Sequence, residues 1–153
     1  MPNHITNSVT ISHEDPKKIE WLKGCFIKSE EGDGQTLDFD KIIPQPKNIF
    51  QGNLGDKERA ECEKDGRPNW YDWNIENWGT KWGAYDGQIV AEKKKLIACT
   101  FLTAWAPPEP IFEKLEEMGF SVNGYWYDDG EMKPHLIGEG GEWYPRCEVE
   151  YGG

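Results

Sequence analysis

The sequence lacks the motifs that mark the common catalytic and metal sites. Its four cysteines and three histidines are scattered, and none forms a Cys-x-x-Cys pair. This spacing argues against a zinc ribbon or any other clustered metal site. Glycine-rich nucleotide loops, His-Glu-x-x-His and Gly-x-Ser-x-Gly are also missing. We therefore predict no catalytic residue, no metal site and no cofactor, and we expect a protein that is not an enzyme.

Long apolar segments are missing as well. Hydrophobic residues make up 37% of the chain, and no run of them approaches the length of a membrane span. The first residues, MPNHITNSVTI, do not have the basic-then-apolar pattern of a signal peptide. Unpaired cysteines are typical of a reducing compartment. We expect a cytoplasmic protein without a membrane segment.

Positive charge is scarce. The chain has 17 lysines and arginines against 28 aspartates and glutamates, which gives a net charge of −11. Affinity for nucleic acid depends largely on neutralising phosphates with lysine and arginine, so direct binding to nucleic acid or to an anionic membrane is disfavoured. A basic protein, or a protein that itself binds nucleic acid, is a better partner for this charge. Alternatively, the acidity serves only to keep the protein soluble.

What the sequence does contain is an alternation of strand and helix patterns. Apolar alternation predicts strands over 4–12, 36–44 and 95–105, two more joined at Asp129-Gly130, and an edge strand in EWYPRCEVEY. Helices are predicted after Asp15-Pro16, near 57–64 and after APPEP. Two β-α-β units on one antiparallel sheet give an α+β, ferredoxin-like domain, 1–153, with helices on one face and the other face open. Residues 45–90 are predicted to be an inserted, tryptophan-rich element.

The stretch WYDWNIENWGTKW, residues 70–82, carries four of the eight tryptophans. Asn69 as an N-cap and Gly79 as a stop signal predict a helix over 70–78, followed by a strand-like segment. Helical spacing predicts that Ile75 and Trp78 pack inward. Trp70 and Trp73 then lie on a flank that a single sheet contact does not cover.

This geometry predicts an exposed aromatic contact surface, since tryptophan and tyrosine are favoured anchors at protein interfaces. Its candidate residues are Trp70, Trp73, Lys81, Trp82 and Tyr85. The alternative is that the rings fill a small aromatic core. A candidate acidic surface lies at the turn that joins the two strands on either side of Asp129-Gly130, at Asp128, Asp129 and Glu131. Its spacing does not match the regular ligand spacing of a calcium-binding loop.

Four segments occur in the same order in the YubB-like proteins: MPNHITNSVTI, FDKIIPQP, WYDWNIENWGTKW and FLTAWAPPEPIFEKL. Over residues 1–130 the sequence therefore resembles this family, which is encoded by conjugative plasmids and bacteriophages. The resemblance implies a ferredoxin-like C-terminal half, a bacterial or phage origin and a location in the cytoplasm of the bacterial host. It implies no activity, because the family has no established catalytic residues.

Three functional hypotheses follow. The first is a phage or plasmid interaction protein that binds a host protein, as an acidic inhibitor of a defence complex or of a nucleic-acid-handling complex. The second is a module that binds a small ligand or nucleotide derivative through the tryptophan cluster and the open sheet face, where Trp105, Tyr125 and Trp126 are expected. The third is an accessory subunit that forms a homodimer through that face.

Overall fold

The computed structural model describes residues 3–28, 34–131 and 133–141. The strands in these ranges are β1 His4–Ser12, β2 Phe26–Lys28, β3 Gln35–Leu37, β4 Tyr85–Lys93, β5 Leu96–Ala104, β6 Ser121–Asp128 and β7 His135–Ile137. The helices are α1 Pro16–Lys23, α2 Asp56–Asp65, α3 Trp70–Trp78 and α4 Glu109–Glu117, with a short 3-10 helix at Phe39–Lys41. None of these helices has the length and apolarity that crossing a membrane requires.

Five strands form one antiparallel sheet in the order β4-β5-β1-β6-β7, and β2 pairs with β3 in a separate two-stranded sheet. The long central strand β1 pairs with both β5 and β6, so that Val9 lies opposite Cys99 on one side and Gly124 on the other. The predicted α+β class and antiparallel sheet are confirmed.

The hydrophobic core lies on one face of this sheet. Successive side chains of a strand point to opposite faces, and the core takes Val9 and Ile11 from β1 together with residues of β5 and β6. Helices α1 and α4 cover the same face and bury Ile19, Leu22, Ile111, Phe112 and Leu115. The helices therefore pack where the strand alternation predicts an apolar face.

The opposite face presents small or polar side chains at its centre, among them Thr6, Ser8 and Thr100, which are buried. Two expectations about this face are wrong. Trp126 lies opposite Asn7 in the sheet and packs against the hydrophobic core on the helical side. Trp105 follows the end of β5, where its positive φ of 73° turns the chain away from the strand direction.

The predicted strand over 36–44 is also wrong. Only its first two residues belong to a strand, and that strand, β3, pairs with β2 rather than with the main sheet. The Asp38 carboxylate accepts a hydrogen bond from the backbone N–H of Asp40 at 3.1 Å and caps the short 3-10 helix. Phe39 thereby enters the core, so its apolar character reflects burial in a turn rather than strand alternation.

The other boundaries of the inserted region follow local signals. Asn69 caps α3 by accepting from the Asp72 N–H at 2.8 Å, and Gly79 ends the helix with φ of 79°. The predicted helices α1, α2, α3 and α4 are confirmed. The segment after Gly79 becomes a strand only at Tyr85, and 85–93 forms an edge strand of the main sheet. The predicted strand in EWYPRCEVEY lies outside the described residues.

Candidate functional site

The inner side of α3 anchors the tryptophan-rich segment to the core. Trp78 is 5% exposed, and its indole N–H donates to the Ile43 carbonyl at 2.9 Å. Its ring meets Phe39 edge-on at a centroid distance of 5.8 Å. The prediction that Trp78 packs inward is confirmed, and the hydrogen bond satisfies the one polar group of this buried indole.

Asn74, one turn before Trp78, is buried and fixes the loop after the helix. Its side-chain oxygen accepts from Gln45 at 2.7 Å, and its side-chain nitrogen donates to the Lys81 carbonyl at 2.9 Å. Buried amides are normally hydrogen-bonded in this way because an unpaired one is costly. The loop carrying Lys81 is therefore held against α3 by a specific buried contact.

The outer side of α3 carries two exposed apolar side chains beside the carboxylates of Asp72 and Glu76. Tyr71 is 36% exposed and Ile75 is 43% exposed, and their spacing of four residues makes them neighbours on the helix surface. The expectation that Ile75 packs inward is therefore wrong. The expectation for Trp73 is wrong in the opposite sense, since Trp73 packs against the core and meets Trp78 edge-on at 5.4 Å.

Lys81 joins this helix surface to Trp82. The Lys81 Nζ lies 4.7 Å from the centroid of the Trp82 ring and 6.0 Å from that of the Tyr71 ring. An ammonium at this distance from a ring is attracted by its negative face. We call the surface formed by Tyr71, Ile75, Lys81 and Trp82 the aromatic patch.

A second cation borders the aromatic patch. The Arg59 guanidinium on α2 lies 5.5 Å from the Tyr71 centroid, and its Nη1 is 3.3 Å from a carboxylate oxygen of Asp72. Exposed ion pairs of this kind add little stability, but this one keeps Arg59 beside the ring. Tyr71 is thus flanked by two cations, Lys81 and the Asp72-paired Arg59.

The remaining predicted contact residues lie around the aromatic patch. Trp70 is half-buried, and its indole N–H donates to the Gly52 carbonyl at 2.8 Å, while its ring meets Tyr71 edge-on. Tyr85 meets the Trp82 ring edge-on at 6.4 Å. Of the five predicted residues, the structure therefore brings Trp70, Lys81, Trp82 and Tyr85 to this region and turns Trp73 into the core.

Sequence reasoning missed three residues of this region. Helical spacing predicts an inward-facing Ile75, Tyr71 is not among the predicted contact residues, and Arg59 lies in α2, a segment with no apolar pattern of its own. Trp105 is a further exposed ring, at 55%. Hydrogen bonds between the Thr80 hydroxyl and the backbone of Ala104 place Trp105 near the loop that carries Lys81. No local signal in the sequence indicates that approach.

The predicted acidic surface at the β6–β7 turn is in part committed to shaping that turn. Asp128 accepts from the Gly130 N–H at 2.8 Å and from the Asn3 side chain at 3.2 Å. Asp129 accepts from the Thr6 hydroxyl at 3.1 Å. Glu131 lies 3.9 Å from the His135 ring nitrogen. The three carboxylates lie in one region, where Asp128 stabilises the local backbone and Asp129 holds the turn to Thr6 of β1.

Two of the described cysteines are not reactive thiols at neutral pH. Cys25, Cys62 and Cys99 are buried. Burial raises the pKa of the Cys99 thiol to about 12 and that of Cys25 to about 11, so both are protonated at neutral pH, whereas the thiolate is the nucleophile. Within the described ranges, no group of three histidine, cysteine or carboxylate residues is arranged to hold a metal ion.

Comparisons of the chain with family models, with curated proteins and with solved structures give no match. The resemblance to the YubB-like proteins therefore stays a prediction, and the functional argument depends on the geometry of the surface.

Proposed function

We propose that this protein is a non-enzymatic interaction protein that binds another protein through the aromatic patch. The observation that carries the proposal is the exposure of Tyr71, Ile75 and Trp82 around a single ammonium group. Tyrosine and tryptophan dominate the binding energy of protein interfaces, and contiguous exposed apolar surface marks interaction sites on folded proteins. The buried Asn74 contacts hold the patch in place before binding, which reduces the ordering cost of association.

The partner we propose is a bacterial host protein that belongs to a defence complex or a nucleic-acid-handling complex. Two observations support it. The resemblance to plasmid and phage proteins supports a host target, and the net charge of −11 supports a basic one, since charge complementarity speeds association. We further propose that β1, α1, β4, β5, α4 and β6 form a ferredoxin-like core. The antiparallel order β4-β5-β1-β6 supports this arrangement, with α1 and α4 as its two helices.

The test compares two exposed tryptophans. Wild-type protein, Tyr71→Ala/Trp82→Ala and Trp21→Ala are immobilised and incubated with bacterial lysate, and bound proteins are quantified by mass spectrometry. Trp21 is the matched control because it is 40% exposed, like Trp82 at 39%, but lies on α1 against Phe120. We expect a protein retained by wild type and Trp21→Ala to be reduced by more than about tenfold with the double variant. Equal retention by all three, or none above background, would contradict the proposal.

A second function is favoured by one contact, the position of Lys81 between two rings. A base stacks on an aromatic side chain while a cation meets its phosphate, so the patch offers both elements of a nucleotide-derivative site. Intrinsic tryptophan fluorescence is titrated with a panel of nucleotides, with Trp82→Phe and Lys81→Ala as variants. We expect a saturable change that Lys81→Ala weakens. A flat response across the panel would rule this function out.

A further inference from the structure

A groove separate from the aromatic patch lies between α4 and the β6–β7 edge of the sheet. Its volume is about 330 Å³. Apolar residues of the helix and both strands line it, namely Phe112, Val122, Trp126, Leu136 and Ile137. Three carboxylates of α4 complete the lining, Glu109, Glu113 and Glu116. The groove therefore combines an apolar floor with an acidic wall.

The acidic wall follows from the helical period of α4. Glu109, Glu113 and Glu116 are spaced by four and then three residues, which places them on one side of the helix. All three are exposed. No ion pair within the described part of the chain involves any of them. No lysine or arginine lines the groove, so its negative charge is not neutralised locally.

The floor of the groove is ordered by contacts between β6 and β7. Trp126 lies opposite His135 in the strand pair, and the two rings stack at 4.2 Å with an angle of 17° between their planes. Leu136 lies opposite Tyr125 and therefore points to the other side of the sheet, so the floor of the groove is Trp126 with the buried Ile137 beside it. Lysine and arginine bury their aliphatic stems on such surfaces while the charged group stays at a polar rim, and an indole also attracts cations.

The strand beside the groove has a suitable shape for an extended ligand. β7 is the last strand in the sheet order within the described residues. An edge strand presents backbone donors and acceptors that an additional extended segment can pair with. The acidic wall, the apolar floor and the edge strand therefore all favour the same ligand, an extended segment with basic side chains.

We propose that this groove binds an extended, lysine- or arginine-bearing segment of a partner protein, as a second interaction surface beside the aromatic patch. The aliphatic stems of the segment lie on Trp126, and its charged ends meet the glutamates of α4. Because the groove shares no residue with the aromatic patch, this proposal can be tested independently of the function proposed above.

The test uses a fluorescently labelled oligo-arginine peptide and purified full-length protein, with binding measured by anisotropy. Glu113→Gln/Glu116→Gln removes two charges at the groove. Glu61→Gln/Glu63→Gln removes the same charge from exposed positions of α2 and is the matched control. We expect the groove variant to weaken binding by about tenfold, from two lost ion pairs. The control should weaken it by less than about twofold, the effect of net charge alone.

Leu136→Ala tests which side of the sheet the peptide occupies. This side chain is exposed on the side away from α4, so its removal should leave both the fold, measured by circular dichroism, and peptide binding unchanged. Tyr71→Ala/Trp82→Ala should also bind the peptide like wild type. Equal weakening by the groove and α2 variants, weakened binding by Leu136→Ala, or no binding to wild-type protein would each overturn the proposal.

Discussion

Helices α3 and α4 are both nine residues long, yet they present opposite chemistries to solvent. In α4, EPIFEKLEE, the apolar side chains fall on one side and are buried, so that the outer side is left with carboxylates. In α3, WYDWNIENW, apolar residues fall on both sides, and only Asn74 and Trp78 are buried. A helix with more apolar residues than its inner side can hold exposes the excess. The comparison therefore locates an aromatic surface on α3 and an acidic one on α4.

The largest effect on stability that we predict follows from removing Trp78, which anchors α3 to the core. Trp78→Ala removes a buried indole that contacts Phe39 and Trp73 and donates to the Ile43 carbonyl. The cavity and the orphaned carbonyl should lower the free energy of unfolding by about 3–5 kcal/mol. Urea denaturation measures it, and Leu115→Ala in α4 is the comparison, with about 2–5 kcal/mol. A much smaller loss for Trp78→Ala would mean that α3 is not an integral part of the core.

The next largest effect on stability concerns the contact between the end of α3 and the start of α4. Gly79 has φ of 79°, and a Cβ there would lie 2.6 Å from the Cδ of Pro110 at the start of α4. Gly79→Ala therefore combines backbone strain with a steric clash and should cost about 1–3 kcal/mol in unfolding free energy. Gly66→Ala is the control, since Gly66 has a similar φ of 66° but no neighbour near the position of a Cβ. An equal loss of unfolding free energy for both variants would show that the contact between α3 and α4 tolerates the methyl group.

The ends of α3 could be predicted from the sequence because their determinants are local. Asn69 and Gly79 act within one turn of the helix boundary, and both appear in the structure in the predicted roles. The orientation of α3 could not be predicted, because it depends on distant partners. Asn74 can be buried because Gln45 and the Lys81 carbonyl satisfy the hydrogen bonds of its amide. With Asn74 facing inward, the next residue of the helix, Ile75, faces solvent.

The same limit applies to the sheet and to the groove. A strand pattern at 36–44 gave no sign that Asp38 would cap a turn and direct Phe39 into the core. The spacing of the glutamates on α4 is visible in the sequence. Their apolar neighbours are not, because Trp126 and Ile137 reach the groove through the pairing of β6 with β7. Local periodicity thus predicts each element, while register and long-range packing decide what each element faces.

We expect a moderate effect on stability from substitutions at the N-cap of α3, the end at which α3 and α4 differ. Asn69 gives α3 a side-chain cap, whereas Pro108 at the start of α4 makes no such hydrogen bond. Asn69→Ala should therefore cost about 1 kcal/mol of unfolding free energy, and Asn69→Ser should retain most of the stability because its hydroxyl also accepts from the helix and places no charge beside the Asp72 carboxylate. Thermal unfolding measures both. Equal losses for the two variants would indicate that the buried Asn69 amide, rather than the cap, determines stability.

The smallest predicted effect on stability comes from a comparison of an exposed isoleucine with a buried one. Ile75→Ala on α3 and Ile111→Ala on α4 delete the same atoms, but Ile75 is 43% exposed and Ile111 is 0% exposed. Ile75→Ala should change the unfolding free energy by less than about 0.5 kcal/mol, against about 2–5 kcal/mol for Ile111→Ala. The same Ile75→Ala protein should lose affinity for the protein captured by the aromatic patch, because interface anchors contribute to binding without supporting the fold. If Ile75→Ala instead destabilised the protein as strongly as Ile111→Ala, the outer side of α3 would belong to the core, and the proposed interaction surface would have to be abandoned.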